Sequence, residues 1–301
     1  MSNEGPVLPR QRVFCPGERP KVASFDVSLH YMGKRGMNAT VRQSPPAARA
    51  ELQAYDKGNA GGRSERLAAR LEPFDSYWQA PKDVEKGFTS FTAYYRANYL
   101  GHMPADKQAR VLVISCGPGY LVKMLRDCGY TAVLGIDSDA AKVEVARRHQ
   151  LPCEVARAFE FLADKRSEYD VIIPEQELNH LTLDETVEFL ALCRQALRPA
   201  GRVVVYAMNG ANPMVGSENL SHNIDHFYNV TEYSLGQILQ LAGFREVRPF
   251  ALKLYVFWTN PLNYVGLAVT ATLEAIFRIL FMLYGKNVKI LSKKVAAVAS
   301  A

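Results

Sequence analysis

Three groups of residues in this sequence have the types and spacing to do chemistry. The first is the turn Cys116, Gly117, Pro118, Gly119, with Asp137 twenty residues beyond Gly117. Glycines without Cβ atoms let a ligand approach the backbone, and a carboxylate at that distance can accept both hydroxyl hydrogens of a ribose. The second is the run Glu175 to Leu181, in which His180 can take up a proton. The third is the polar run Glu218 to Tyr228, where His222 and His226 stand four apart with Asp225 between them. On a helix those two histidines would share a face. Asp225 is then placed to orient an imidazole or a sugar hydroxyl, and His222 and His226 are alternatives to His180 as the base. Two histidines without an assured carboxylate make a sparse donor set, so no metal ligands are assigned.

These residues hang on a chain that alternates strand and helix. Val111 to Ser115 is an apolar run that ends at the glycine pair, and the helix after it runs through Leu121, Val122 and Leu125 to stop at Gly129. Val133 to Ile136 is a second strand ending on Asp137, followed by a helix from Asp139 to His149, a short strand around Glu154 and Val155, and a fourth strand from Val171 to Ile173. Thr182 and Glu185 are spaced as a capping box that opens a helix through Leu197. Val203 to Ala207 makes a fifth strand, and Thr231 to Ala242 a helix stopped by Gly243. Upstream, Val84 to Leu100 reads as a helix with Phe88, Phe91, Tyr95 and Tyr99 as a core stripe. This alternation predicts an α/β, Rossmann-like, doubly wound sheet with helices on both faces. In such a sheet the ligand lies beyond the carboxyl ends of the strands where strand order reverses, which brings the first two strand ends together.

Two cofactors satisfy that geometry, a nicotinamide dinucleotide and S-adenosylmethionine. The dinucleotide fingerprint wants a third Gly or Ala three residues after the second, where Val122 stands. The run Val111 to Gly119 instead resembles the first motif of class I S-adenosylmethionine-dependent methyltransferases. The resemblance extends over residues 74–301 and includes the segments Leu134 to Asp137 and Leu197 to Arg202. It implies a mostly parallel seven-stranded sheet ending in an antiparallel pair of strands, here Phe244 to Val256 and Lys294 to Ala299. It also implies a cofactor set of Ser115, Cys116, Gly117, Gly119, Asp137, Ser138, Ala158 and Glu175, with the acceptor over the ends of the fourth and fifth strands. The segment Pro174 to Leu181 is similar to the family's loop in which an acidic residue precedes a His-Leu pair. The sequence departs from the family at three places: Val113 stands where an acid is usual, Ser115 where a first glycine is usual, and Arg157 where an aspartate near the adenine is common.

Residues 74–81, 218–228 and 260–286 look like methyltransferases of bacterial polysaccharide and cell-envelope biosynthesis, which implies a sugar hydroxyl on a glycan or lipid-linked glycan as acceptor. The alternatives are a small-molecule or quinone-like lipid acceptor, and a degenerate domain that binds cofactor or a membrane without turnover.

Composition sets bounds on these readings. Hydrophobic residues make up 48% and charged residues 22% of the 301, which is ordinary globular usage and excludes a disordered chain or a multi-span membrane protein. Five cysteines without a Cys-x-x-Cys pair indicate neither a disulfide scaffold nor a zinc site. The net charge of +6 is confined to the ends: residues 1–64 carry +5, 286–301 carry +4, and the body between them −3. An acidic body is a poor nucleic-acid binder. Residues 1–70 read as a basic, mostly disordered arm, and 71–301 as the methyltransferase-like domain. With no apolar block in the first thirty residues, a cytoplasmic protein is expected, peripheral on the inner membrane face.

Residues 265–285 are apolar over the length of a membrane span, but Glu274 and Arg278 fall mid-segment, one helical turn apart, and four lysines follow. That pattern predicts an amphipathic insertion over 259–290, lying on an anionic membrane surface or else packed on the domain or a second copy.

Overall fold

The computed structural model describes residues 81–222, 226–253 and 261–301. The arm expected over 1–70, its boundary with the domain, and Asp225 lie outside the described residues.

Seven strands form one sheet in the order β3-β2-β1-β4-β5-β7-β6. In chain order these are β1 (Val111–Ile114), β2 (Val133–Asp137), β3 (Cys153–Val155), β4 (Tyr169–Pro174), β5 (Leu197–Met208), β6 (Arg245–Ala251) and β7 (Lys294–Ser300). The first five pair in parallel, and β7 runs antiparallel to both β5 and β6. This is the doubly wound, mostly parallel sheet expected from the alternation of strands and helices.

Helices cover both faces: α1 (Pro81–Asn98), α2 (Tyr120–Asp127) and α3 (Ala140–Arg148) on one, α4 (Ala158–Ala163), α5 (Leu183–Ala196) and α7 (Glu232–Leu241) on the other. The period of two along β1 divides its side chains between the two layers. Val111 and Val113 join Tyr99, Leu121 and Leu125, whereas Leu112 and Ile114 join Phe159, Phe189 and Leu239. Phe88, Tyr95 and Tyr99 of the expected stripe are buried on α2's side, with Phe91 half-buried and stacked on Tyr120 at 5.3 Å. The Thr182–Glu185 capping box forms as read, with both reciprocal bonds present.

Two strand boundaries differ from expectation by more than two residues. The fifth strand begins at Leu197, because Leu197 pairs with Tyr169 and Arg198 is held by Asp170 at 3.0 Å. The sixth stops at Ala251, because Lys253 exchanges backbone bonds with the Asn98 side chain of α1 instead of with β7. Between β6 and β7 stands α8 (Leu262–Leu283), the insertion expected over 259–290. The remaining helix, α6 (Gly216–His222), follows β5.

Strand register places the site. Ile114 pairs with both Ile136 and Pro174, so the turn after β1 lies between Asp137 at the end of β2 and Glu175 just past β4. Glu175 N–H donates to Ile114 O at 2.8 Å and Cys116 N–H to Ile136 O at 3.0 Å, which fixes the three strand ends against one another.

Candidate active site

The turn after β1 is a cradle built from unusual backbone. Ser115, Gly117 and Gly119 all sit at positive φ, +55°, +53° and +89°. A left-handed serine is strained by its Cβ, which explains why a glycine is usual at that position in the resembling family. A Cβ on Gly117 would meet nothing within 4 Å, so the backbone there faces open space. At Gly119 a Cβ would come within 2.7 Å of Leu151 and 3.2 Å of Ala146, because the turn packs closely against α3 and the chain leading into β3. No side chain caps the N-terminus of α2.

Asp137 is 2% exposed and braces this cradle. Its Oδ2 accepts from Gly117 N–H at 2.8 Å and its Oδ1 from Asp139 N–H at 2.9 Å. Burial raises its pKa, and the two amide donors pull it partly back. An ionised carboxylate offers about four lone-pair positions, so two remain for a ribose diol.

Two polar atoms at the cradle are enclosed without a partner, Ser138 Oγ and Glu175 Oε1. Buried polar groups without partners are rare in folded proteins. Their place beside Asp137 and opposite the glycine turn fits an adenosyl group with a charged amino-acid tail. Burial pushes the Glu175 carboxyl up to about 7, against hydrogen bonds from Tyr95 and Tyr99 and the charge of Lys294. Ser115 Oγ meets Gln176 Oε1 at 3.2 Å across the same opening. Cys116 is buried against Cys153, with its thiol pKa pushed up by the bond to that sulfur. Ala158 is buried at the start of α4, beyond β3. Arg157, preceding it, is exposed, and Val113 lies wholly in the core, so neither supplies the carboxylate usual at its position.

A second cluster lies past the ends of β4 and β5. One donor atom each from Glu177, His180 and His226 falls within 4.8 Å of the others. The two imidazoles meet edge to face with centroids 4.7 Å apart. His226 is 8% exposed and its Nδ1 bonds the carbonyl of Asn219 on α6. A carbonyl only accepts, so Nδ1 carries the proton and Nε2 is the basic nitrogen of the neutral ring. Phe227 N–H donates to Asn179 O at 2.9 Å, and Tyr228 OH donates to Leu178 O at 3.2 Å. These bonds tie the chain after α6 to the single turn Leu178–His180 after β4.

The Glu177 carboxylate also accepts from Lys294 Nζ at 2.6 Å, and that ammonium lies 4.9 Å over the Tyr206 ring. Three donors at this spacing can ligate a metal ion or relay a proton, and Lys294 already balances the one carboxylate among them.

The structure therefore rearranges the expected acceptor residues. His180 and His226 come together, but not through a shared helix: α6 ends at His222, and His226 lies beyond it in irregular chain. A shared helical face for His222 and His226 would need His226 on a helix, which it is not; residues 223–225 between them lie outside the described residues. Sequence reasoning gave no role to Glu177, Lys294, Tyr206 or Asn219. Glu177 stands three residues before His180, but Lys294 counted there only as one of four basic residues near the end and as the start of the last strand, with no part in a site. Nothing local to β7 signals that its first residue reaches β4.

Residues 111–201 match the family of methyltransferase domains. Among curated relatives, a ubiquinone biosynthesis O-methyltransferase of Chelativorans sp. (strain BNC1) is 32% identical over 164 residues, covering 49% of this chain and 62% of the relative. Another of that name from Roseobacter denitrificans is 27% identical over 176 residues, covering 52% of this chain and 66% of the relative. The chain thus spans just under two thirds of these relatives' length.

Among solved structures, an S-adenosylmethionine-dependent methyltransferase from Archaeoglobus fulgidus superposes with a TM-score of 0.53 at 18% identity, over 75% of this chain and 100% of the other. The Haloferax volcanii complex of the Trm112 activator with a putative methyltransferase gives 0.51 at 16% identity, over 75% and 96%. At these identities the structures speak to fold alone. Residues 111–201 match the methyltransferase domain family, and the chain around them shares the fold of these solved methyltransferases.

Proposed function

We propose that this protein transfers a methyl group from S-adenosylmethionine to a hydroxyl oxygen of a quinone-like aromatic acceptor. The observation that carries the reading is the convergence of Glu177, His180 and His226 past β4 and β5, beside the cradle formed by Gly117, Gly119 and Asp137.

Bound S-adenosylmethionine supplies an electrophilic methyl group on a sulfonium. The chain's own task is to hold the acceptor in line and to take its proton. His226 is suited to accept that proton at Nε2, because the Asn219 carbonyl fixes the other ring nitrogen as donor. Glu177 and Lys294 set the charge beside the two rings. Tyr206, its OH donating to Glu175 O at 2.8 Å, links this pair to the cradle.

Acidity favours a phenol over a sugar as acceptor. Moving a proton from a phenol of pKa about 10 to an ordinary imidazole of about 6.5 costs about 5 kcal/mol. From an alcohol nearly as weak an acid as water, at about 15.7, the same transfer costs about 12 kcal/mol. The curated relatives are named for ubiquinone biosynthesis, which supports the aromatic reading, and none of those reported above is named for glycan synthesis.

The test is transfer of labelled methyl to polyprenylated dihydroxybenzenes and, in parallel, to lipid-linked and nucleotide-linked sugars. Methylation of the aromatic set is expected. His226→Ala and His180→Ala should lower turnover by about 10²- to 10⁴-fold while leaving cofactor affinity intact. Methylation of sugars alone, or of no acceptor by protein that binds cofactor, would overturn the proposal.

A further inference from the structure

Helix α8 is 22 residues long, an 18-residue stretch of it has a mean hydropathy of 1.8, and none of that stretch is buried. Its half-covered positions are Asn263, Gly266, Thr270, Leu273, Glu274, Phe277 and Phe281, a stripe of three- and four-residue steps that marks the side toward the domain. On that side Glu274 and Arg278 form an ion pair at 3.6 Å, and Arg278 also donates to Lys289 O at 3.2 Å.

The opposite side carries Val265, Val269, Ile276, Ile279 and Leu283, exposed by 60, 52, 48, 56 and 77%. A contiguous apolar strip of that length on a soluble surface marks an interaction site. Just past its end Lys286, Lys289 and Lys293 are exposed, with no acidic residue from 286 to 301.

The fold decides how such a helix can meet a bilayer. A crossing helix of this length would carry Leu283 about 32 Å from Leu262, to the far side of the lipid. The chain would then have to return through the hydrocarbon to begin β7, which pairs with β6 in the same sheet. The Arg278 contact to Lys289 shows that it folds back alongside the helix instead. The segment is also joined to the domain at its base: Tyr233 OH donates to Asn287 O at 2.9 Å, and Asn212 Nδ2 to Leu291 O at 2.6 Å. Its inner aromatic residues Phe277, Phe281 and Tyr284 line a groove with Pro213, from the acceptor-side loop after β5.

We infer that the outward face of α8 is a docking surface for an anionic lipid bilayer, lying in the plane of the interface with the lysines against the headgroups. Five large apolar side chains in one strip, followed directly by three exposed lysines in a stretch without acids, match the two components of such a surface in their observed order. Docking in this way sets the loop after β5, and the Glu177, His180 and His226 cluster near it, beside the lipid. The inference stands on the helix alone and does not depend on which acceptor is methylated.

The experiment is flotation of the full chain with vesicles of phosphatidylcholine alone and with phosphatidylglycerol added. Two variants accompany it, Val269→Glu with Ile276→Glu on the outward face, and Lys286→Glu with Lys289→Glu and Lys293→Glu. The wild type should float at least 10-fold more strongly with anionic than with neutral vesicles. The charge-reversal variant should lose about 100-fold in partition, at about tenfold per 1.4 kcal/mol, and the apolar-face variant should fail to float. Neither should change the thermal midpoint or the affinity for S-adenosylhomocysteine, because these side chains are not buried in the domain. Absence of flotation by the wild type, or flotation unaffected by the apolar-face variant, would overturn the inference. So would a wild-type dimer in sedimentation that the apolar-face variant dissociates without any vesicle binding, since a second copy would then be the occupant.

Discussion

Replacing Asp137 by Asn tests the cradle with the least change of shape. In the wild type both carboxylate oxygens accept backbone N–H groups, from Gly117 at 2.8 Å and Asp139 at 2.9 Å. The amide oxygen can keep one of these partners, but the NH2 group points a donor at the other. One buried donor left without a partner costs about 1–3 kcal/mol. In a domain of this size that lowers the thermal midpoint by about 2–12 °C. Ligand affinity falls for a separate reason. A hydrogen bond to a charged acceptor contributes about 1.5–3 kcal/mol and one to a neutral acceptor about 0.5–1.5. Two ribose hydroxyls therefore lose about 2–3 kcal/mol together, or about 30- to 150-fold in dissociation constant. Calorimetric titration with S-adenosylhomocysteine, at a temperature where circular dichroism shows both proteins folded, reads the ratio directly. Affinities within threefold of each other would refute the assignment of Asp137 to the ribose.

Glu175 makes stability depend on pH. Its folded-state pKa of about 7 lies above its ordinary value, so the folded chain holds a proton that the unfolded chain has released between about pH 4.5 and 7. Its contribution is complete below about 4.5 and is lost as pH rises through 7, amounting to at most about 3 kcal/mol. Glu175→Gln should flatten that slope in urea denaturation followed across the range, and an unchanged slope would count against the burial of this carboxyl. Gly119→Ala forces a Cβ into a φ of +89° and to within 2.7 Å of Leu151 Cδ1 and 3.2 Å of Ala146 Cβ. Left-handed strain and overpacking together should cost about 2–4 kcal/mol, and denaturation that matches the wild type would contradict the geometry of the turn.

The fold was legible because its signals are local. The apolar run Val111 to Ile114, the stop at Gly129 and the capping box at Thr182 each specify an element from a few adjacent residues, and the order of elements then fixes a parallel sheet. The cofactor cradle was legible for a related reason: Gly117, Gly119 and Asp137 lie within one strand-helix-strand unit, so their spacing in the sequence determines their spacing in the fold. The acceptor cluster was not. Glu177 meets Lys294, and His226 meets His180, only because β7 inserts between β5 and β6 and the chain after α6 folds back on the turn after β4. The spacing of His222 and His226 would place them on one face of a helix, but His226 lies in irregular chain and reaches His180 through the fold and not through a helix.

Val113 in the core and the exposed Arg157 supply no carboxylate to the cradle, and this makes cofactor binding the claim on which the rest depends. The direct measurement is calorimetric titration of the purified full chain with S-adenosylmethionine and, separately, S-adenosylhomocysteine. The account predicts one site per chain with micromolar affinity for each, held by Asp137, the glycine turn and Glu175 in place of the missing carboxylates. No heat with either ligand, from protein shown to be folded, would contradict it and leave the domain without its cofactor.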